Sequence, residues 1–123
     1  MSDREYKVAL SEYDINMIGY TFRQQAMSEA KAAEEIAFEE LHEGKTYNDI
    51  KHGVMENSEK TIRYLLGLHD RLMEELKRGD CAAKLAAEQF LEASGDVRAY
   101  MRSIDEELKR AANERRPDLH IVK

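Results

Sequence analysis

The sequence predicts an all-α fold, in which three long antiparallel helices form an up-down-up bundle. The composition is one reason, because a single Pro, six Gly and no Trp among 123 residues favour long helices over a β-sandwich. Helix-start patterns at residues 11, 46 and 80 are another, and they predict helices of about 33 residues, or roughly 50 Å. The third reason is that apolar residues recur at alternating intervals of three and four positions within each segment.

Each predicted start carries residues that cap a helix. Ser11 is an N-cap candidate with Asp14 three residues further on, which is the spacing of a capping box. The stretch Thr46-Tyr47-Asn48-Asp49 repeats this pattern, and Asp80 is the third N-cap candidate. Side chains of these types accept hydrogen bonds from the free N–H groups of a first helical turn. Three separate helix starts are therefore expected.

The predicted ends fall at glycine and proline. Gly44 and Gly79 precede the second and third starts, and glycine commonly closes a helix in a left-handed conformation. Pro117 ends the last pattern because proline cannot continue a helix. Short turns make neighbouring helices antiparallel. The expected organisation is a single helical domain over residues 1–117 with a flexible tail over 118–123, and helices at about 11–43, 46–78 and 80–114.

Two apolar lines mark the faces that the second and third helices are expected to pack. The second-helix line comprises Tyr47, Ile50, Val54, Ser58, Thr61, Leu65, His69, Leu72 and Leu76. The third-helix line comprises Ala82, Ala86, Phe90, Ala93, Val97, Tyr100, Ile104, Leu108 and Ala111. Gly53 and Gly95 lie off these lines, where each weakens its helix without interrupting the packed face. A break at either glycine would give four or five helices, with Asn57-Ser58 as an added cap.

The first helix carries more apolar surface than a three-helix bundle needs. Its core stripe consists of Ile15, Gly19, Phe22, Ala26, Ala30, Ala33, Ala37 and Leu41. Ile18 and Ile36 lie on one flank, and a second line runs along the other flank at Tyr13, Tyr20, Met27 and Phe38. The apolar arc exceeds the roughly one third of the circumference that such a helix buries. Either the other two helices wrap it or a second subunit covers it, and we expect a homo-oligomer with the Tyr13–Phe38 line at its interface.

The net charge and the cysteine content limit the classes of partner and the cellular compartments that the sequence predicts. The formal net charge of −6, from 25 acidic and 19 basic residues, disfavours a nonspecific grip on nucleic acid, which needs clustered Lys and Arg. Cys81 is the only cysteine, so it is expected to be structural in a reducing compartment, and a cytoplasmic location is predicted. No apolar run reaches the ~20 residues of a membrane span, and the first ten residues lack the apolar core of a signal peptide.

Polar residues on the predicted core faces are the candidates for a ligand site. Arg23 falls on the first helix's apolar face, His69 lies within the second line, and Gln89 lies at the edge of the third. Antiparallel pairing brings these residues level with Gly19 and Tyr20. They form either a polar layer that fixes helix register or a pocket for a small anion or nucleotide, with Arg23 as its bidentate donor.

Two acidic-histidine pairs have a spacing that could serve a metal ion. Glu39-x-x-His42 and Asp49-x-x-His52 each place a carboxylate and an imidazole on one helix face. Helical di-metal sites need such pairs from facing helices, all projecting inward. Both pairs here are predicted to project outward. A solvated acidic face is therefore expected, with no metal and no cofactor.

The segment from Arg63 to His69 resembles the Arg-x(4–6)-His motif of the HEPN ribonucleases, which are all-helical. The resemblance implies metal-independent RNA cleavage at a dimer interface, with Arg63 and His69 holding the scissile phosphate. With these numbers of Arg and His, about one such spacing arises by chance. Tyr64 also stands where those enzymes usually carry a polar residue.

The sequence thus leaves three functional hypotheses open. The leading one is a non-enzymatic acidic helical protein that binds a protein partner, as an adaptor, an immunity-type inhibitor or a phage-encoded antagonist, because no convergent catalytic set accompanies the surplus apolar surface. The alternatives are a small-anion or nucleotide-binding helical oligomer and a HEPN-like ribonuclease.

Overall fold

The computed structural model describes residues 9–79 and 81–115, and it confirms the all-α bundle. The helices are α1 (Glu12–His42), α2 (Tyr47–Ile50), a π-helical turn (Lys51–Met55), α3 (Glu56–Leu76) and α4 (Cys81–Arg115). Helix α1 packs against α3 and α4, which also pack against each other. The predictions for Asp80, Pro117 and the tail at 118–123 lie outside the described residues. None of the described helices is both long and apolar enough to cross a membrane.

Two of the predicted N-caps are present. The Ser11 Oγ accepts from the Asp14 N–H at 3.1 Å, and the Asp14 carboxylate accepts from the Ser11 N–H at 3.0 Å, which completes the capping box. The Thr46 Oγ1 accepts from the Asp49 N–H at 3.1 Å. Each bond satisfies a donor that has no partner inside the helix, so these local signals fix where α1 and α2 begin.

The two glycine-closed ends differ. Gly44 has a φ of 109°, the left-handed geometry predicted for it. Gly79 does not, since Gly44 is the positive-φ glycine among the described residues, and that prediction was wrong. The chain leaves α3 through a tight right-handed turn in which the Gly79 N–H donates to the Leu76 carbonyl at 2.9 Å. This turn satisfies a terminal carbonyl without a left-handed residue.

Helix α2, the π turn and α3 form one continuous rod over residues 47–76. Backbone angles at both junctions stay in the right-handed helical region, so Gly53 lies in a widened turn and does not break the helix. Gly95 lies within α4, which is also unbroken. Ser58 is not a cap: its buried hydroxyl donates to the Glu29 carbonyl at 3.3 Å. The suggested breaks at Gly53 and Gly95 are therefore absent.

The π turn shifts the packed face of the rod by one residue. Ile50 and Met55 are buried five positions apart, whereas an α-helix brings a face back after three or four. Beyond the turn the buried residues are Ser58, Ile62, Leu66, His69 and Met73. Ser58 and His69 of the predicted line are buried as expected, whereas Thr61, Leu65 and Leu72 each lie one position before a buried residue. Thr61 is accordingly exposed. The error arises because the line assumed an unbroken α-helical phase.

The main core surrounds the alanines of α1. Ala26, Ala30 and Ala37 are fully buried, and their small side chains let α3 and α4 approach the α1 backbone closely. From the rod this core receives Ile50, Met55, Ile62 and Leu66, and from α4 it receives Val97, Met101, Ile104 and Leu108. A second cluster centres on Ile15, Met73 and Ala87. The predicted α1 stripe is buried apart from Phe22, which is half-buried.

Candidate functional site

The space next to Gly19 is filled by an aromatic ring of the same chain. Gly19 is buried, and a Cβ built there would lie 2.5 Å from two carbon atoms of the Phe90 ring. Glycine is therefore required because α4 approaches α1 closely at this level. The room that the sequence suggested for a ring or a ligand belongs to the protein core.

The other predicted ligand residues do not form a buried layer. Arg23 and Gln89 are exposed, so the placement of Arg23 on the apolar face was wrong. Tyr20 is 54% exposed, and its hydroxyl accepts a hydrogen bond from Gln24 at 2.7 Å. His69 is buried, at 1% exposure. The anion pocket that needed Arg23 beside His69 thus loses its proposed donor.

His69 sits in an aromatic and acidic enclosure. Its ring centroid lies 6.1 Å from that of Phe22 and 6.2 Å from that of Phe90, the latter edge-on. The Nδ1 atom lies 2.8 Å from Asp70 Oδ1, and Nδ1 is the donor because an ionised carboxylate only accepts. Within the described part of the chain Nε2 is buried without a hydrogen-bond partner. An imidazole held in this way orders the core and has no access to a substrate.

The polar network continues outward from His69 to α4. Asp70 Oδ2 lies 2.9 Å from Arg98 Nη2, and Arg98 Nη1 donates to the Ser94 hydroxyl at 2.8 Å. This network links the rod to α4, and it gives the second carboxylate oxygen of Asp70 a partner. Sequence reasoning missed all three partners. The available signals were an acidic residue directly after a core histidine and a Ser–Arg pair four residues apart, which lies on one helix face.

The proposed ribonuclease pair is split between surface and core. The Arg63 side chain is 70% exposed and pairs with Glu59 at 2.9 Å, whereas His69 is enclosed by Phe22 and Phe90. A phosphate on the surface could reach Arg63 but not the buried imidazole. The geometry therefore gives no support to RNA cleavage by these two residues.

The acidic-histidine pairs lie on outer faces, as predicted. Glu39, His42 and Asp49 are exposed, and His52 pairs with Glu56 at 3.3 Å. This imidazole is the main reason that the pKa of the Glu56 carboxyl is lowered. Among residues 9–79 and 81–115, no group of three or more His, Cys, Asp or Glu side chains is arranged to hold a metal ion.

A groove runs between the rod and α4, and we refer to it as the rod–α4 groove. It encloses about 510 Å³. Its apolar floor is made of Met55, Ile62, Leu66 and Met101, and its rims carry Lys51, His52, Glu56, Glu59, Arg63, Arg98, Arg102, Asp105, Glu106 and Lys109. The π turn supplies three of these residues, so the irregular part of the rod forms one end of the groove.

The rims are locally less acidic than the protein as a whole. With His neutral, five basic and four acidic lining residues give +1, against −6 for the chain. Several rim charges are already paired, such as Arg63 with Glu59 and Lys109 with Asp105 at 3.6 Å. Arg102 is exposed and makes no ion pair with any described residue. It is therefore available to a carboxylate on a bound partner.

Tyr47 pins the π-turn end of the groove. Its hydroxyl donates to Asp105 Oδ1 at 2.6 Å, while the ammonium groups of Lys51 and Lys109 each lie 5.8 Å from its ring centroid. Burial, followed by the hydrogen bond and the charge of Asp105, raises the pKa of the Tyr47 phenol. Because the bond joins residues 58 positions apart, it holds the two walls of the groove in register.

A separate exposed stripe lies on the first turns of α1. Tyr13, Met17 and Tyr20 are 71%, 45% and 54% exposed, and their spacing of four and three residues places them on one helix face. Met27 and Phe38 of the predicted interface line are instead half-buried against the chain's own core. The structure thus leaves the Tyr13 and Tyr20 part of that line uncovered and adds Met17, which the sequence reasoning did not include.

Comparison of the chain with protein-family models, with curated proteins and with solved structures finds no match.

Proposed function

We propose that this protein acts without catalysis, by binding a helical segment of a partner protein in the rod–α4 groove. The observation that carries the proposal is the groove of about 510 Å³ between two charged rims, with core residues of the rod and α4 at its bottom. Protein interfaces share this arrangement, since an apolar centre is surrounded by a polar rim. An amphipathic helix that lays its apolar face into a groove is a common mode of peptide recognition.

The floor has the dimensions of a short helix. On the rod it runs from Met55 to Leu66, which corresponds to about 16 Å or three helical turns. A partner helix of that length presents apolar residues at intervals of three and four to the floor. Met55 and Met101 contribute flexible, polarisable side chains, which adapt readily to the shape of a bound surface.

The chemistry of the lining favours a protein over a small molecule. Ten of the fourteen lining residues are ionisable, whereas small-molecule pockets are lined mainly by apolar and aromatic side chains with a few polar groups. The π turn supports a functional role for the groove, because single π turns inside α-helices often occur at functional sites. Lys51, His52 and Met55 belong to this turn and to the lining.

The biological role remains the one expected from the sequence. An adaptor, an immunity-type inhibitor and a phage-encoded antagonist each act by occupying a partner, and each is compatible with a groove of this kind. We expect the protein to act in the cytoplasm, because Cys81 is its only cysteine and reducing compartments keep such thiols free.

Site-specific photo-crosslinking tests the proposal. A photoreactive residue at position 102 of the groove is compared in cells with one at position 71, an exposed position on α3 outside the lining. We expect a protein that crosslinks at 102 only, and that binds the purified wild type. The double variant Lys51→Glu with Arg102→Glu should weaken this binding at least about tenfold, while Arg71→Glu leaves it unchanged. Equal crosslinking at both positions, or unchanged binding by the double variant, would rule out the groove.

A further inference from the structure

We infer that the rod–α4 groove also binds a second copy of this chain, through the exposed stripe Tyr13, Met17 and Tyr20 of its α1 helix. This inference rests on the proposed function, because it uses the same groove and the same helix-in-groove mode. It names an occupant that the chain itself supplies.

The stripe has the shape that the groove requires. Its three side chains recur at intervals of four and three residues on α1, the spacing by which an amphipathic helix anchors in a groove. They span eight residues, or about 10 Å along the axis, and are therefore shorter than the floor between Met55 and Leu66. The stripe is left without a partner in the described part of the chain, whereas the floor residues are buried in the chain's own core. The stripe of a second copy would fill the open space of about 510 Å³ above them.

The charges of the two surfaces are complementary. The charged residues of α1 up to position 23 are Glu12, Asp14 and Arg23, which gives −1 beside the stripe, whereas the groove lining sums to +1. Glu12 and Asp14 lie beside Tyr13, one on each side of the stripe by helical geometry. Arg102 and Lys51 are exposed basic residues on opposite walls of the groove. Opposite charges at the rim favour this pairing over a contact between two α1 helices, which would repel each other.

The inferred contact is heterologous: one stripe enters one groove, without the reciprocal contact that would close a twofold dimer. Each copy then keeps one free stripe or one free groove, and assembly continues into a ring or an open chain instead of stopping at a dimer. The exposed area of three side chains is small, so the association belongs with weak contacts. A partner helix that binds the groove more tightly displaces the second copy, and self-assembly and partner binding are therefore mutually exclusive.

Mixing two defective variants tests this geometry. The stripe variant carries Met17→Ser and Tyr20→Ser and keeps its groove. The groove variant carries Lys51→Glu and Arg102→Glu and keeps its stripe. All four positions are exposed, so both variants are expected to fold, and circular dichroism verifies this. Sedimentation velocity is run up to about 1 mM, since contacts of this size are weak. Tyr64→Ser and Arg71→Glu, at exposed positions outside both surfaces, are the matched controls.

The expected result is a specific pattern of masses. The wild type and both controls should rise with concentration beyond twice 14.2 kDa, while each defective variant alone stays at 14.2 kDa. An equimolar mixture of the two variants should reach twice 14.2 kDa and stop there, because it contains only one functional stripe–groove pair.

Three results would overturn the inference: a monomeric wild type at every concentration, a mixture in which both variants stay monomeric, or a groove variant that assembles as the wild type does. Capture of a different protein by crosslinking at position 102 is independent of all three. If a different protein crosslinks at position 102 while self-assembly fails, the proposed function stands and the inference falls. If no other protein crosslinks there but the mixture of variants assembles, the second copy stands as the occupant of the groove and the foreign partner does not.

Discussion

Replacement of Gly19 by alanine tests whether the protein's own core occupies the predicted ligand space. The new methyl group would lie 2.5–2.6 Å from three carbon atoms of the Phe90 ring, so the ring or the helix must shift. Overpacking of this kind costs about 1–3 kcal/mol. The change also contributes about 1 kcal/mol of helix propensity, which offsets part of that cost.

Gly67→Ala is the matched control, because Gly67 also lies within a helix and a Cβ there meets no atom within 4 Å. It should gain the same propensity, about 1 kcal/mol, with no packing cost. The difference between the two variants therefore isolates the contact with Phe90, and we expect Gly19→Ala to be less stable than Gly67→Ala by about 1–3 kcal/mol. At this chain length, each kcal/mol corresponds to about 4 °C in melting temperature.

Urea unfolding followed by circular dichroism at the helical band gives these free energies directly. A second comparison in the Phe90→Leu background should remove most of the penalty at Gly19, because the ring is no longer present. If Gly19→Ala proved as stable as Gly67→Ala, the close approach of α4 at this level would be wrong. The space beside Gly19 would then again be available to a ligand.

Two further predictions concern the polar contacts that join the rod to α4. Asp70→Ala removes the partner of the buried His69 and should cost about 1–3 kcal/mol, whereas Arg98→Ala breaks a partly exposed ion pair and should cost under about 1 kcal/mol; urea unfolding that ranked them in reverse would contradict the network. The pKa of Tyr47 is raised in the folded protein above the unfolded tyrosine value of 10.0. The neutral phenol therefore stabilises the fold below pH 10, and this stabilisation is lost as pH rises above that value. Tyr47→Phe should therefore flatten the loss of stability above pH 10, and a pH profile identical to that of the wild type would show that the bond to Asp105 does not contribute.

The local signals in the sequence located the helix starts because each depends on a few neighbouring residues. The Ser11 capping box and the Thr46 cap form within one turn, and the φ of Gly44 is set by the turn that follows α1. The buried stripe of α1 was predictable for the same reason, since an uninterrupted α-helix keeps one phase over its whole length.

The packed face of the rod could not be predicted, because a π turn leaves no unambiguous mark in the sequence. Gly53 was noticed as a weak point, but whether a helix breaks, continues or widens there depends on what it packs against. Ile50 and Met55 are both buried against the α1 core, and that burial favours the extra residue in the turn. Beyond it, burial moved from Thr61, Leu65 and Leu72 to the residue that follows each, while Ser58 and His69 stayed on the buried face.

Some residues of the candidate sites could likewise be predicted from one helix, and others could not. Helical phase alone marked His69 as a buried polar residue and the Tyr13 and Tyr20 flank as apolar, and the structure agrees on the burial of His69 and on the location of both tyrosines on α1. Asp70 and Arg98 were missed because their ion pair joins residues on two helices, and Ser94 was missed although its bond to Arg98 lies within α4. Arg23 was misplaced because the edge of a helix face becomes buried or exposed according to where the neighbouring helices lie.

The sequence by itself determined the helical class, the positions at which α1 and α2 begin, and the alanine stripe around which the core forms, because these follow from contacts within a few turns of one helix. Only the tertiary structure decided that Phe90 fills the space beside Gly19, that Asp70 pairs with Arg98, and that the rod and α4 enclose a charged groove. Those features depend on the distance and rotation between helices. Both are set by packing across the whole bundle, and the residues of a single helix do not encode them.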